Sequence, residues 1–449
     1  MKKPRILFAG TSSGSGKTTA VCAVLELLAR RGIAVSACKC GPDYIDPMFH
    51  ESVLGVPSAN LDPFFCDGNL LRGILAENGG ELAVIEGVMG YYDGTGTEGT
   101  DNSTWTVARE TKTPVVLVIN GRGASASLLA VLEGFLNFLP DSGIAGVLFN
   151  NTSPMVSASL KRQAQARFGD RVRVLGCIPK LPEDCVFGSR HLGLITAPEI
   201  ADLQGVIGRI ADACEKTIDL DALLEIASSA PDLAYTAQTV PRLPEIRLAV
   251  ARDDAFCFYY KDTLRLFERM GAKLLPFSPL SDEPVPEGAQ GLLLGGGYPE
   301  LYADRLEANE TAKNSIAAAV RNGMPVIAEC GGFQYLGKSL DGKRMCGVLP
   351  HESTNAGKLV RFGYVRLTAR KSGLLGEAGL QLRAHEFHYW DSTENGDAFH
   401  AEKPGGRSWD CCVMTDTLYA GYPHLFLPAD IPAAEAFYRK CLVYKEKKP

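Results

Sequence analysis

The chain has 449 residues, of which 46% are hydrophobic and 22% charged, with a formal net charge of −6. That length predicts two domains or three, that composition predicts a soluble globular chain, and that charge leaves no basic footprint for nucleic acid as a main partner. No apolar run approaches the roughly 20 residues that span a bilayer, and the start MKKPRILFAG is too short in its apolar part for a secretory leader, so with 13 scattered cysteines the chain reads as reduced and cytoplasmic, with free thiols and no membrane partner.

The first predicted strand, RILFAG, runs into AGTSSGSGKTTA, where Gly10 stands five residues before Gly16-Lys17-Thr18. The common phosphate loop G-x-x-x-x-G-K-[ST] has four residues there. Downstream, Val21, Val24, Leu25 and Leu28 recur at helical spacing and Gly32 stops the helix. A strand, a glycine loop and a helix start form an anion site, because backbone N–H groups and the helix N-terminus point at phosphate. The predicted nucleotide-binding residues are Gly10, Thr11, Gly14, Gly16, Lys17, Thr18 and Thr19. Among them Lys17 serves the β- and γ-phosphates and Thr18 serves Mg²⁺.

AVSACKCG is the next strand, and its Cys38 and Cys40 read as buried cysteines, since no second Cys or His pair at zinc spacing follows nearby. ELAVIEG, TPVVLVING, IAGVLFNN and VRVLGCIP are buried-type strands. Short β-rich runs alternating with helical segments predict a parallel sheet wrapped by helices on both faces. Glu86 closes the strand ELAVIE and so stands at the sheet's carboxyl edge, where ligands sit in open α/β folds. Asp43 in GPDYIDP and Asp93 in GVMGYYDG follow in loops, where an Asp is a metal ligand or a backbone cap; both readings stay open.

SSAPDLAYTAQTVPRLPE holds three prolines and no helical stripe. It sets a first domain at 1–228, a linker at 229–245 and a second domain at 246–449. The second α/β series begins with IRLAVARDD, continues through GLLLGGGYPE and MPVIAECGGFQYLG, and turns β-rich in GYVRLTAR and QLRAHEFHYW. MPVIAECGG is a strand-to-helix corner that presents Cys330 as nucleophile elbows present theirs. The helix start favours a thiolate there. The N–H of Gly331 and an N–H from Gly296 or Gly297 form a predicted oxyanion hole. His424 in AGYPHLFL is the predicted base. His385 and His388 stand three apart in RAHEFHYW, either as metal ligands or as structural histidines.

Together these blocks resemble a known family. GTSSGSGKTT resembles the variant loop of dethiobiotin synthetase-like amidoligases. KCGPDYIDP, VIEGVMGYYDG, ARDDAFCFYY, LLLGGGYPELYA, ECGGFQYL and AHEFHY resemble the cobyrinate a,c-diamide synthases. The resemblance implies an α/β protein of two domains: an ATP-dependent synthetase with a phosphate-loop parallel sheet flanked by helices, then a class I glutamine amidotransferase. It implies ATP, Mg²⁺, L-glutamine and a tetrapyrrole, cobyrinic acid, as cofactors and partners, with a homodimer left open. It further implies that Cys330 is the glutaminase nucleophile, that His424 raises its nucleophilicity, and that Asp43, Glu86 and Asp93 surround magnesium and the activated carboxylate. Thr18, Asp43 and Glu86 are the implied metal ligands, Tyr44 lies on the substrate side, and Asn150 contacts adenine. Position 426 carries Phe, where class I relatives carry a residue that orients the histidine, so the partner of His424 is left open. Two alternatives are a nickel-sirohydrochlorin a,c-diamide synthase and a partition-type phosphate-loop ATPase switch.

Overall fold

In the computed structural model, which describes residues 1–96, 99–185 and 203–447, the apolar runs of the first half, together with one short polar segment that forms β3, become strands β1 (Arg5–Gly10), β2 (Val35–Cys40), β3 (Ser58–Leu61), β4 (Leu82–Glu86), β5 (Val115–Asn120), β6 (Ile144–Asn150) and β7 (Arg173–Ile178). They form one sheet in the order β3-β2-β4-β1-β5-β6-β7, with every ladder parallel. Strands covered on both faces need apolar side chains at nearly every position, which is why these runs do not alternate. Helix α1 (Lys17–Arg30) lays Val21, Val24, Leu25 and Leu28 against Ile6, Phe8, Val84 and Val116. Each such side chain stabilises the fold by roughly 1.5–3 kcal/mol relative to exposure. The short edge strand β3, sequence SANL, shows no apolar pattern and is not visible to sequence reading.

The chain divides into two compact units, Met1–Gln238 and Thr239–Pro449. In the second, β8 (Ile246–Ala251), β9 (Ala272–Phe277), β10 (Gly291–Leu294) and β11 (Val326–Glu329) are parallel, and the strand Leu418–Gly421 continues the sheet beside β11. A five-stranded antiparallel sheet packs over this core; in it Arg361–Ala369 pairs with Gln381–His388, and the two-residue strand His424–Leu425 closes one edge. Phe267, Leu367, Leu382, Phe437 and Tyr438 belong to the shared core. Among the described residues, no helix is long and apolar enough to cross a membrane.

Candidate functional site

The sheet order places β1 between β4 and β5, so the chain moves to one side of β1 before β4 and to the other after it. The crevice at such a reversal is where open α/β sheets bind ligands, and the loop 11–16 lies there, between β1 and α1. Gly16 starts α1 at φ 100°, a left-handed conformation costly to L side chains. A Cβ on Gly16 would also fall 2.0 Å from Asn150 Nδ2. That amide donates to the Ser15 carbonyl at 3.0 Å, so Asn150, expected to meet adenine, is seated against the loop itself. Lys17 is buried, and its Nζ donates to the carbonyls of Ser12 at 3.1 Å and Met89 at 2.6 Å. Burial, and after it Lys39, pulls the Lys17 pKa down to about 8. Thr11 and Thr19 are half-buried on either side of the loop, and Gly14 is exposed within it.

Lys39 and Glu86 are register partners on β2 and β4, so their side chains share a face. Glu86 Oε1 accepts from Thr18 Oγ1 at 2.6 Å and from Lys39 Nζ at 2.9 Å. Its Oε2 accepts no hydrogen bond and lies 3.8 Å from His50 Nε2. Asp46, in the first turn of α2 (Ile45–Leu54), pairs with Lys39 from the other side. Burial pushes the Glu86 carboxyl up, against the pull of Lys39. Burial also works against the Lys39 ammonium, but Asp46, Glu86 and Asp43 hold its pKa well above the ordinary value. His50 is fully buried and driven down to about 4, so it stays neutral near pH 7.

Asp43 and Asp93 both serve as turn caps in this structure. Asp43 Oδ1 accepts the N–H groups of Ile45 at 2.8 Å and Asp46 at 3.2 Å; burial, then Asp46, raises its pKa to about 6. Asp93 is exposed and accepts the Gly90 N–H at 2.8 Å. Their charges still reach the site, Asp43 at Lys39 and Asp93 at Lys17. Tyr44 is buried at the start of α2. Sequence reading does not find Lys39, Asp46 or His50, because only strand register and the turn of α2 bring them to Glu86. Among the described residues, no three or more Asp, Glu, His or Cys side chains gather as a metal cage. The Thr18 hydroxyl and the unsatisfied Glu86 Oε2 nevertheless fit magnesium, which at a phosphate loop takes most of its ligands from phosphate and water.

In the second unit, β11 ends at Glu329 and a six-residue helix, Gly331–Leu336, begins one residue later. Cys330 is left on the corner at φ 49° and ψ −104°, a strained backbone of the kind that clusters at functional sites. Its N–H donates to the Gly421 carbonyl at 2.8 Å, because Gly421 ends the strand beside β11. From Gly421 the chain turns through Tyr422 and Pro423 and returns as His424, which hydrogen-bonds the Cys330 side chain. The glycine loop after β10 closes on this pair: a Cβ on Gly296 would lie 2.5 Å from His424 Cε1 and 3.4 Å from Cys330 Cβ. A Cβ on Gly331 would come 3.3 Å from the Gly297 nitrogen. The three expected oxyanion glycines thus gather at the Cys330 corner.

Glu329 supplies the partner of His424 that the sequence leaves open. Its Oε2 lies 3.7 Å from His424 Nδ1, and its Oε1 accepts the Leu425 N–H at 3.0 Å. Successive strand residues point to opposite faces; the positive φ at Cys330 breaks that alternation, and Glu329 and Cys330 both reach one imidazole. Burial works against the His424 imidazolium, but Cys330 and Glu329 outweigh it and raise its pKa to about 10. Phe426 is instead apolar packing, edge-on to Tyr260 at 5.1 Å.

His385 and His388 do not make a metal pair. Three residues apart on a strand, they face opposite sides. His385 is the register partner of His424, and His388 stacks on Tyr422 at 3.8 Å. Cys38 and Cys40 are buried in β2.

Residues 6–194 match a family model described as the CobQ/CobB/MinD/ParA nucleotide binding domain, and residues 247–430 one described as the CobB/CobQ-like glutamine amidotransferase domain. Over 94% of this chain and 96% of the relative, the sequence is 40% identical to a protein of Listeria innocua named cobyrinate a,c-diamide synthase. Proteins of the same name from Picrophilus torridus and Priestia megaterium are 36% and 32% identical, over 98% and 100% of this chain and 99% of each relative.

Proposed function

As the chain belongs to the cobyrinate a,c-diamide synthase family, we propose that it amidates the a and c carboxylates of cobyrinic acid in cobalamin biosynthesis, with glutamine as nitrogen donor and ATP as activator. The observation that carries this reading is the pairing, in one chain, of a thiol–imidazole–carboxylate set, Cys330-His424-Glu329, with a phosphate loop whose Thr18 meets Glu86.

A carboxylate is a poor electrophile because its leaving group would be oxide. Transfer of the γ-phosphoryl group converts it to an acyl phosphate; ammonia then attacks the carbon and phosphate departs. Lys17 balances charge developing on the transferred group, exchanging its Ser12 and Met89 carbonyls for phosphate oxygens. Thr18 and Glu86 would hold the magnesium ion, which supplies charge neutralisation when bound. Asp43 and Asp93 set the charge around Lys39 and Lys17, and Tyr44 stands on the macrocycle side. Asn150 holds the loop in shape for the nucleotide.

Ammonium is protonated near neutral pH and cannot attack, so ammonia is generated locally. The Cys330 sulfur attacks the glutamine carboxamide, forming a thioester; His424 hands a proton to the departing ammonia, and water then hydrolyses the thioester to glutamate and the free thiol. Backbone N–H groups at Gly296, Gly297 and Gly331 stabilise the tetrahedral oxyanions. A partition-type ATPase switch would have no use for this second set of residues.

The test is mass spectrometry of cobyrinic acid incubated with the protein, ATP, Mg²⁺ and glutamine, beside nickel-sirohydrochlorin as a second acceptor. Two carboxyl-to-amide changes on cobyrinic acid are expected. Amidation of nickel-sirohydrochlorin alone, or ATP turnover stimulated only by DNA, would overturn the reading.

A further inference from the structure

The glycine loop of the second unit is held by one side-chain hydroxyl. β10 pairs with β8 in parallel register, Leu292 with Ala249 and Leu293 with Val250. Carried one rung further, that ladder would join the Gly295 N–H to the Ala251 carbonyl. The Tyr259 hydroxyl stands in that place instead. It accepts the Gly295 N–H at 2.8 Å and donates to the Ala251 carbonyl at 2.5 Å. One oxygen thus splits the rung; β10 ends at Leu294, and the chain leaves the ladder as Gly295, Gly296 and Gly297.

The rest of the segment 255–259 grips the loop by its backbone. The Phe258 N–H donates to the Gly296 carbonyl at 2.9 Å, and the Tyr298 N–H donates to the Ala255 carbonyl at 3.0 Å. The Gly295 carbonyl accepts the Gly332 N–H at 3.0 Å, which ties the loop to the turn behind Cys330. Between these fixed points the Gly297 N–H donates to no group among the described residues. Its nitrogen lies 3.3 Å from the place a Cβ on Gly331 would take, beside the Cys330 corner.

Packing alone does not fix this loop. The Tyr259 ring lies against Gly295, where a Cβ would fall 2.5 Å from its Cζ. Tyr259 also lines a cavity of about 30 Å³ shared with Thr263, Ile327, Glu329 and Leu427, so the loop has room to shift once the oxygen is gone. Burial raises the phenol pKa, which keeps the hydroxyl protonated and a donor. Without it the Gly295 N–H and the Ala251 carbonyl lose their bridge, and Gly295 is drawn toward β8, away from Cys330.

We propose that Tyr259 is a positioning residue of the glutaminase reaction, whose hydroxyl sets where the glycine loop presents its N–H groups to the oxyanion formed at Cys330. This rests on the glutamine-dependent reading above. The test compares the full chain with Tyr259→Phe in glutamine hydrolysis, in inhibition by the γ-aldehyde analogue of glutamine, and in alkylation of Cys330 by iodoacetamide. The Cys330 sulfur adds to the aldehyde carbon and the carbonyl oxygen takes up the thiol proton, which leaves an oxygen at the oxyanion position; alkylation displaces iodide and forms no oxyanion. Tyr259→Phe should lose roughly 10–100-fold in kcat with KM for glutamine little changed. The inhibition constant of the aldehyde should rise by a similar factor, and the alkylation rate should stay as it is. A merely structural Tyr259 would move KM and alkylation together with kcat. That pattern, an unchanged kcat, or unchanged aldehyde binding overturns the proposal. If Tyr259→Phe does not fold, Gly295→Ala disturbs the same contact from the loop side, and the same measurements decide. Wild-type glutaminase activity that Tyr259→Phe leaves unaffected sinks this inference alone; absence of any glutaminase activity in the wild type sinks the earlier reading with it.

Discussion

Glu329 and His424 are joined by one carboxylate that grips two things at once: its Oε2 lies 3.7 Å from the imidazole Nδ1, and its Oε1 holds the N–H of the next residue, Leu425, at 3.0 Å. The imidazole is therefore oriented by the residue that immediately precedes Cys330, and the Cys330 thiol, His424 and Glu329 form one connected set.

Glu329→Gln keeps the shape and removes the charge. The His424 pKa is raised from 6.5 to about 10, so its stabilising contribution is present below pH 6.5 and is lost as pH rises through about 10. Without the carboxylate that window narrows from its alkaline end. The alkaline limb of the glutaminase pH profile should move to lower pH, with kcat down about 100-fold, while ammonia-dependent amidation is unaffected. A profile that stays in place assigns Glu329 no electrostatic role.

Cys330→Ala should abolish glutamine-dependent amidation and leave amidation at high ammonia, because only the nitrogen source has been removed. Both activities measured on folded protein decide it; failure of ammonia to rescue means the division of labour between the units is wrong.

Lys17→Ala should remove amide synthesis from either nitrogen donor while thioester formation at Cys330 persists. Trapping the thioester with hydroxylamine reads the second activity independently of the first, and intact amide synthesis would refute the nucleotide-site assignment.

Gly296→Ala places a methyl group where His424 Cε1 already stands, 2.5 Å away. The imidazole must shift, and a displacement on the order of 1 Å costs about 100-fold in rate. Glutaminase kcat should fall by that order with thermal stability little changed; wild-type turnover would show that the loop yields instead.

Lys39→Met strips the buried Glu86 of its cation while Asp46 stays beside it. An uncompensated buried charge costs about 3–5 kcal/mol, so the urea midpoint of the first unit should drop sharply, and Glu86→Gln in the same background should recover part of the loss.

Much of this was legible in the sequence, where local backbone chemistry sets the outcome. Strands buried on both faces need long apolar runs, so β1, β2, β4, β5, β6 and β7 announce themselves; a chain that must expose N–H groups to phosphate needs its glycines before Lys17, and a sharp corner at Cys330 needs Gly331 and Gly332 behind it. What only the tertiary structure decided depends on register between distant strands. Lys39 meets Glu86 because β2 and β4 align them, Asn150 pins Ser15 from the end of β6, and Glu329 reaches His424 because a left-handed φ at Cys330 turns two neighbouring side chains to one side. The Tyr259 hydroxyl likewise stands between Gly295 and Ala251 only once β8 and β10 pair. Period and composition report which face of an element is apolar; they carry no record of which polar group another strand will set against it.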